Sequence, residues 1–247
     1  MSDVLVLSER NLRLSRRQLD ALLTAVLMPV VLMILFVELF GGAIQTDGKY
    51  VTYVVPGVII LCCGFGAALT AVSVCQDVTG GIVDRFRAMD VGGAALLGGH
   101  VVASVLRNAV STTLVIAVAL ALGFRPEADA LRWLAALGIL LALVAAVSWL
   151  GAAVGLIVSS PEAANGTTFL VTFLPYASSA FVPVHTMPHW IQGFARHQPF
   201  TPLTEAVRSL LLGTPVGSEA WIGLAWCAGI LVLSIGAAGA LFARRTA

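Results

Sequence analysis

Residues 51–76 read VTYVVPGVIILCCGFGAALTAVSVCQ, and this stretch decides the fold because none of its side chains is charged. A helix of about 20 predominantly apolar residues crosses the hydrocarbon core of a membrane. Further charge-free stretches lie at residues 21–37, 108–124, 133–161, 163–195 and 220–243. Because lipid offers no partner for open backbone groups, such stretches predict helices. The sequence therefore predicts an all-α polytopic membrane protein.

The composition excludes other classes of protein. Hydrophobic residues make up 59% of the 247 residues and charged residues only 11%, and the mean hydropathy is +0.96. Soluble domains are about 25% charged, so a soluble globular domain and a disordered chain are both excluded. The net charge of +1 provides no basic field for phosphates, so we expect no nucleic-acid partner. The apolar side chains must face membrane lipid.

We place six spans in a single transmembrane domain of residues 1–247, at residues 21–41, 54–76, 101–123, 133–158, 166–183 and 220–242. Pro175 and Pro183 interrupt the fifth span. Arginine and lysine concentrate in cytoplasmic loops, and nine against five basic residues favour cytoplasmic termini. The nine are Arg10, Arg13, Arg16, Arg17, Arg85, Arg87, Arg107, Arg244 and Arg245, and the five are Lys49, Arg125, Arg132, Arg196 and Arg208.

Residues 1–20 predict an amphipathic helix that lies along the membrane surface. At about 100° per residue, the charged residues from Glu9 to Asp20 fall in one sector, and most leucines and valines fall opposite them. Such a helix places its apolar face at the acyl boundary of the lipids. A solvated, charge-rich tail is the alternative.

Residues 77–100 form the predicted cytoplasmic loop between the second and third spans. Gly80 and Gly81 end the second span, and residues 82–89 can form about two helical turns before the next glycine pair. Phe86 and Met89 are apolar anchors among charged neighbours. A short helix of mixed charge suits docking into another protein, and a plain solvated connector is the alternative.

The outer segment, residues 184–219, is rich in proline and predicts two short helices at residues 188–197 and 202–212. Thr201 is placed as an N-cap and Pro202 as the first helical residue. The second helix would be about 16 Å long, too short to span. We expect both helices to dip into the outer leaflet or lie on it, and to cap the spans.

No catalytic or metal-binding constellation is evident. His185 and His189 have the i,i+4 spacing of metal ligands, but Pro188 lies between them and no Cys, Asp or Glu is near. Lys49 is the only lysine and is followed by Tyr50, so the chain lacks the Gly-Lys-Ser/Thr of a phosphate-binding loop. We expect no enzyme activity, no catalytic residue and no metal in this chain by itself, and an ATPase would be a separate chain.

The Arg-rich amphipathic start and four motifs together resemble the membrane subunit of ABC transporters of the type-2 permease family, in particular its daunorubicin-resistance-type drug-export branch. The four motifs are YVVPG at residues 53–57, GGIVDRFRAMDVGGAALLGGHVVASVLR at 80–107, VSSPEAANG at 158–166 and SSAFVPVHTMPHWIQGFARHQPFTPLTEAVRSLLLG at 178–213. The resemblance covers nearly the whole chain. The sequence departs from it at Met89, Asp90 and Val91, where relatives usually carry a proline.

The resemblance implies partners and site residues. It implies two copies of a cytosolic ATPase subunit, which hold ATP and Mg, and a second permease subunit that is identical or related. This chain itself would bind no cofactor and would lie in a bacterial cell membrane. The implied ATPase-coupling residues are Gly81, Ile82, Asp84, Arg85, Phe86 and Arg87, and the implied outer gate helices carry Trp190, Phe194, Pro202, Glu205 and Arg208.

Two features of the spans can each be interpreted in two ways. Aromatic residues on spans two and five would line the substrate path of such a family, whereas ordinary lipid-facing or core aromatic residues are the alternative; they are Phe65, Phe169, Phe173 and Tyr176. The small-residue pattern GAAVG at residues 151–155 suits close helix packing, either within one subunit or across a dimer.

The expected function is that of a transmembrane subunit of an ATP-driven exporter, which moves lipophilic drugs or lipid-like compounds outward. Export of a lipid-linked glycan or a cell-envelope lipid by the same fold is one alternative. A proton-coupled carrier or a membrane enzyme is another, but the sequence lacks a chain of ionisable groups deep in the spans.

Overall fold

The computed structural model describes residues 7–11, 19–42, 49–88 and 92–244, and every regular element in these ranges is helical. Helix α1 continues as a π-helix over Phe36–Phe40, and two 3₁₀ turns lie at Leu174–Ala177 and Val184–Thr186. Residues 7–11 are also α-helical. The further α-helices are α1 (Leu19–Leu35), α2 (Tyr50–Thr79), α3 (Ile82–Ala88), α4 (Gly93–Ala121), α5 (Ala130–Ile157), α6 (Pro161–Phe173), α7 (His189–His197), α8 (Phe200–Leu211) and α9 (Glu219–Arg244).

Four described helices, α2, α4, α5 and α9, are long and apolar enough to cross a membrane, with 30, 29, 28 and 26 residues. The chain is therefore a multi-pass, all-helical protein in its described part. Helix α1 with its π-helical extension covers the predicted first span. Helix α6 has only 13 residues, which is about 20 Å of rise against a hydrocarbon core of ~30 Å. The count of six spans stays a prediction.

The fifth predicted span, residues 166–183, is wrong as a continuous helix. Helix α6 begins earlier, at Pro161, where the Ser160 hydroxyl caps it by accepting from the Ala163 N–H at 3.2 Å. The α-helix ends at Phe173, and Pro175 lies in the 3₁₀ turn that follows. Proline lacks an N–H and disfavours α-helix in the residue before it, so the two prolines of this stretch break it.

The predicted loop of residues 77–100 is shorter in the structure. Helix α2 continues to Thr79 and α4 already begins at Gly93. The glycines that suggested a loop lie instead at close helix contacts: a Cβ on Gly93 would lie 2.5 Å from the Phe242 ring, and one on Gly99 would lie 2.9 Å from Leu7. Tertiary packing thus outweighs the low helix propensity of glycine.

Helix α8 begins at Phe200, so Pro202 is its third residue and the prediction that it is the first is wrong. The N–H groups of a first helical turn have no partner within the helix, so a proline there removes no bond. Thr201, the predicted N-cap, is itself part of the helix. Its hydroxyl donates to the Ala195 carbonyl at 2.5 Å, so it does not cap α8 as predicted.

Helix α2 is the centre of the bundle and packs against α1, α4, α5, α6 and α8. Gly151 and Gly155 of α5 lie directly on the backbone of α2, since a Cβ on Gly151 would be 3.1 Å from the Ala67 Cα and one on Gly155 would be 2.5 Å from the Ala71 carbonyl oxygen. The small-residue face is therefore used within one subunit. Such close backbone approach is the usual basis of helix association in lipid.

Candidate functional site

We name the two ends of the bundle after the predicted topology. The outer end holds the start of α2 with α7 and α8, and the cytoplasmic end holds α3 with the end of α2 and the start of α4. The predicted site residues divide between these two ends and α6.

The contacts at the outer end are arranged around the side chain of Arg208 on α8. It is buried at 7% exposure and its guanidinium donates from Nη2 to the Ser179 carbonyl at 2.8 Å and to the Tyr53 carbonyl at 3.1 Å. Nε also donates to the Tyr53 carbonyl, at 3.2 Å, and Nη1 donates to Glu205 at 2.6 Å. The guanidinium carbon lies 3.8 Å from the centroid of the Tyr53 ring, which is a cation–π contact. Arg208 thus ties α8 to α2 and to the segment before α7.

Two tyrosines of α2 hold the same segment, and the sequence reasoning missed both. The Tyr50 hydroxyl donates to the Phe181 carbonyl and the Tyr53 hydroxyl to the Ser179 carbonyl, each at 2.8 Å. Gly57, one turn further along α2, lets the chain approach: a Cβ there would lie 2.6 Å from the Ala180 Cα. The i,i+3 spacing of the tyrosines at the start of a span was the available signal.

The two outer helices differ in burial. Helix α8 is buried except at Glu205 and Ser209, so it packs on the spans as expected, and its depth in the outer leaflet stays a prediction. It is enclosed by protein, with Leu203 against Gly223 of α9. Helix α7 instead exposes Trp190 and Phe194, at 83% and 53%.

An open cleft of about 1540 Å³ lies at the outer end between α7, α8 and the start of α9. Its walls include both charged and aromatic side chains, among them Tyr53, Arg196, Glu205, Arg208 and Trp226. The described residues include no group of three His, Cys, Asp or Glu side chains that could hold a metal ion.

Three of the four predicted path residues form a continuous row of rings. Phe169 and Phe173 lie 5.5 Å apart between centroids, and Phe173 and Tyr176 lie 5.2 Å apart. The row continues to Phe181 at 5.3 Å and from there to Phe36 at 4.6 Å. These spacings are those of attractive ring pairs. We call these five residues the aromatic row.

The aromatic row runs from exposed to buried. Phe169 and Phe173 on α6 are 60% and 53% exposed, whereas Phe181 at the outer end is 4% exposed. Phe65, the fourth predicted residue, is half-buried on α2 and packs against the apolar core instead.

The short helix predicted in the cytoplasmic loop is present as α3, between the ends of α2 and α4, and its coupling role stays a prediction. Gly81 makes the turn into it with a φ of 67°, a backbone conformation that favours glycine. Arg85 is exposed, and Ile82 and Phe86 are half-buried. The side chains of Asp84 and Arg87 lie outside the described part of the structure.

A buried ionic cluster lies beside α3, and the sequence reasoning missed it. Arg10 donates to both carboxylate oxygens of Asp77, at 2.8 and 3.1 Å, and His100 Nε2 lies 3.1 Å from Asp77 Oδ2. The hydrogen bond to Asp77 raises the pKa of Arg10 above its ordinary value, so the guanidinium stays charged. Asp77 follows the charge-free stretch directly, and this position at the edge of a span was the available signal.

These features define the class as a multi-pass membrane protein with a short helix at one end and a proline-rich segment at the other. The chain belongs to the ABC-2 type transporter family, whose profile matches residues 2–212. The resemblance noted from the sequence is thereby confirmed.

Two relatives are drug-resistance permeases. The chain is 33% identical over 209 residues to the daunorubicin resistance ABC transporter permease protein DrrB1 of Streptomyces coeruleorubidus, covering 83% of this chain and 73% of that protein. It is 23% identical over 235 residues to the probable doxorubicin resistance ABC transporter permease protein DrrC of Mycobacterium tuberculosis, covering 94% of this chain and 85% of that protein.

Proposed function

We propose that this chain is the membrane subunit of an ATP-driven exporter that moves lipophilic drugs or lipid-like compounds outward. The observation that carries the proposal is the 33% identity, over 83% of the chain, to a daunorubicin resistance permease. Family membership implies an ATPase subunit as partner. The proposal adds two ATPase copies, a second permease subunit and six spans with cytoplasmic termini, for which the distribution of arginines is the support.

In this mechanism the ATPase subunits bind α3 through Gly81, Ile82, Arg85 and their neighbours, and ATP binding draws the α3 helices of the two subunits together. The spans then open toward the outside. At the outer end α8 moves with α2, because Arg208 bonds the carbonyls of Tyr53 and Ser179. The cargo leaves past this segment.

The aromatic row is the proposed contact surface for the cargo. Two of its rings, Phe169 and Phe173, offer more than half of their surface, and a planar apolar compound can stack on such rings. Their exposure leaves both rings accessible to such a compound.

The experiment measures export of daunorubicin, a fluorescent probe, by vesicles that contain the chain and its co-purified ATPase. We expect uptake into inside-out vesicles only with hydrolysable ATP. Phe173→Ala should lower the rate several-fold at unchanged protein level, since a 53% exposed ring contributes little to stability.

Leu170→Ala is the matched control, because Leu170 is a 74% exposed apolar residue on the same helix and lies outside the aromatic row. Its transport should equal that of the wild type. Equal loss in both variants would contradict the role of the row, and ATP-independent uptake by the wild type would contradict the exporter. Uptake of a lipid-linked glycan in place of daunorubicin would favour that alternative cargo.

A further inference from the structure

Arg10 connects three elements of the cytoplasmic end. Its guanidinium pairs with Asp77 near the end of α2, at 2.8 and 3.1 Å, and its guanidinium carbon lies 5.5 Å from the centroid of the Phe86 ring on α3. Asp77 in turn contacts His100 on α4 at 3.1 Å. A single side chain of the N-terminal segment thus joins α2 and α3 directly and α4 through Asp77.

The carboxylate and the imidazole of these contacts are enclosed, whereas the guanidinium is partly exposed. The side chains of Asp77 and His100 are 9% and 5% exposed, and that of Arg10 is 26% exposed. The segment that carries Arg10 lies close to α4, because Leu7 is buried at 3% exposure and contacts the backbone position of Gly99. The segment is therefore fixed by apolar packing and by the ion pair together.

The arrangement of Asp77 and Phe86 suits an arginine better than a lysine. A planar guanidinium binds a carboxylate with two parallel hydrogen bonds and stacks on an aromatic face at the same time. Lysine offers a point charge, which keeps the attraction to Asp77 but loses the two-bond geometry and weakens the contact with the Phe86 ring. The contact therefore fixes the orientation of α3 as well as its distance from α2.

We propose that Arg10 is a positioning residue, which holds α3 against the cytoplasmic ends of α2 and α4 and passes its displacement to both spans. The proposal rests on the proposed function, because the ATPase bound to α3 supplies the force that displaces this helix. The ring of Phe86 moves with α3, the guanidinium follows the ring, and Asp77 and His100 carry the movement into α2 and α4.

The first measurement is independent of cargo. Ile82→Cys places a thiol on the half-buried side of α3, and the native cysteines Cys62, Cys63, Cys75 and Cys227 are all buried. With the full chain in opened membranes, we expect Arg10→Ala to raise the rate of maleimide labelling at Ile82→Cys at least fivefold. Arg10→Lys should give an intermediate rate.

Two controls accompany the labelling. Arg13→Ala removes another arginine of the same amphipathic segment and should leave the rate unchanged. A thiol at the exposed outer position Thr214 should react equally in all variants, which shows that each is inserted and folded. If Arg10→Ala proves not to be inserted and folded, the labelling of Ile82→Cys is compared between the wild type and Arg10→Lys instead, because lysine keeps the positive charge. An unchanged rate at Ile82→Cys overturns the proposal.

The second measurement is the number of daunorubicin molecules exported per ATP hydrolysed. We expect Arg10→Ala to lower it about tenfold while the ATPase still co-purifies, a split that a merely structural role would not produce. If Arg10→Ala raises the labelling rate but exports as many molecules per ATP as the wild type, Arg10 does not pass the movement of α3 to the spans. This result overturns that part of the proposal. Raised labelling together with no export by the wild type contradicts the proposed function and leaves the positioning role standing.

Discussion

The two ends of α2 are each held by an arginine from another part of the chain, but the partners differ. At the outer end Arg208 donates to the backbone carbonyls of Tyr53 and Ser179. At the cytoplasmic end Arg10 donates to a side chain, the carboxylate of Asp77. Both guanidinium groups also lie over a ring, at 3.8 Å from the centroid of Tyr53 and 5.5 Å from that of Phe86.

The difference indicates two kinds of contact between helices. We call the contact of Arg208 with the Tyr53 and Ser179 carbonyls the outer joint, and that of Arg10 with Asp77 the cytoplasmic joint. Carbonyl acceptors belong to the backbone, and the Arg208 side chain is only 9% exposed, so the outer joint is enclosed and fixed. The cytoplasmic joint depends on side chains, and Arg10 is 26% exposed, so water can replace part of the contact. We expect the outer end to move as one body and the cytoplasmic end to adjust when an ATPase binds.

The largest expected effect is that of Arg208→Ala. Hydrogen bonds to charged groups contribute about 1.5–3 kcal/mol each but are not additive, so we expect a loss of about 3 kcal/mol. The thermal midpoint of the purified protein, measured in one detergent, reports this loss. Arg208→Lys should recover only part of the stability, because a lysine cannot reach several acceptors and stack on Tyr53 together.

Arg10→Ala is the comparison variant at the other end. It should lower the thermal midpoint less than Arg208→Ala, because His100 continues to contact Asp77 and water reaches the vacated position. An equal or larger loss for Arg10→Ala would show that the two joints do not differ in rigidity.

The second effect compares how closely another part of the chain approaches a glycine at each of the two ends. A Cβ on Gly57 would lie 2.6 Å from the Ala180 Cα, whereas one on Gly99 would lie 2.9 Å from the Leu7 Cβ. Overpacking costs about 1–3 kcal/mol. We expect Gly57→Ala to fall in the upper part of that range and Gly99→Ala in the lower part, by the same thermal measurement.

Gly64→Ala is the control for helix propensity, because its Cβ would meet only atoms 4.0 Å away, on Pro175 and Thr172. It should be neutral or slightly stabilising, since alanine favours a helix over glycine. A loss at Gly64→Ala as large as that at Gly57→Ala would mean that the close approach is not the cause.

The sequence could predict the helices and the family because both depend on local patterns. Charge-free stretches mark α2, α5 and α9 within a few residues, and the motif around Gly81 and Phe86 marks α3. Residues 93–100 were misassigned, because glycine there serves contacts with Phe242 and Leu7 that no local pattern records.

The joints could not be predicted for a different reason. Arg10 and Asp77 are 67 positions apart, and Arg208 and Tyr53 are 155 positions apart, so their pairing depends on the packing of the whole bundle. The sequence placed Arg10 among surface charges and Asp77 in a loop. Arg208 was assigned to a gate helix through the family resemblance, but its burial and its backbone partners follow only from the structure.

The smallest expected effect tests how the outer joint distributes its hydrogen bonds. The Ser179 carbonyl accepts from both Tyr53 and Arg208, whereas the hydroxyl of Tyr50 donates to the Phe181 carbonyl. A buried acceptor that loses a donor costs about 1–3 kcal/mol, and a shared acceptor retains its other donor. We therefore expect Tyr50→Phe to cost about 1 kcal/mol and Tyr53→Phe less than half of that. Both substitutions keep the ring, so the contact of Arg208 with the ring of residue 53 persists. A lower thermal midpoint for Tyr53→Phe than for Tyr50→Phe would show that Arg208 cannot hold the Ser179 carbonyl without the tyrosine hydroxyl.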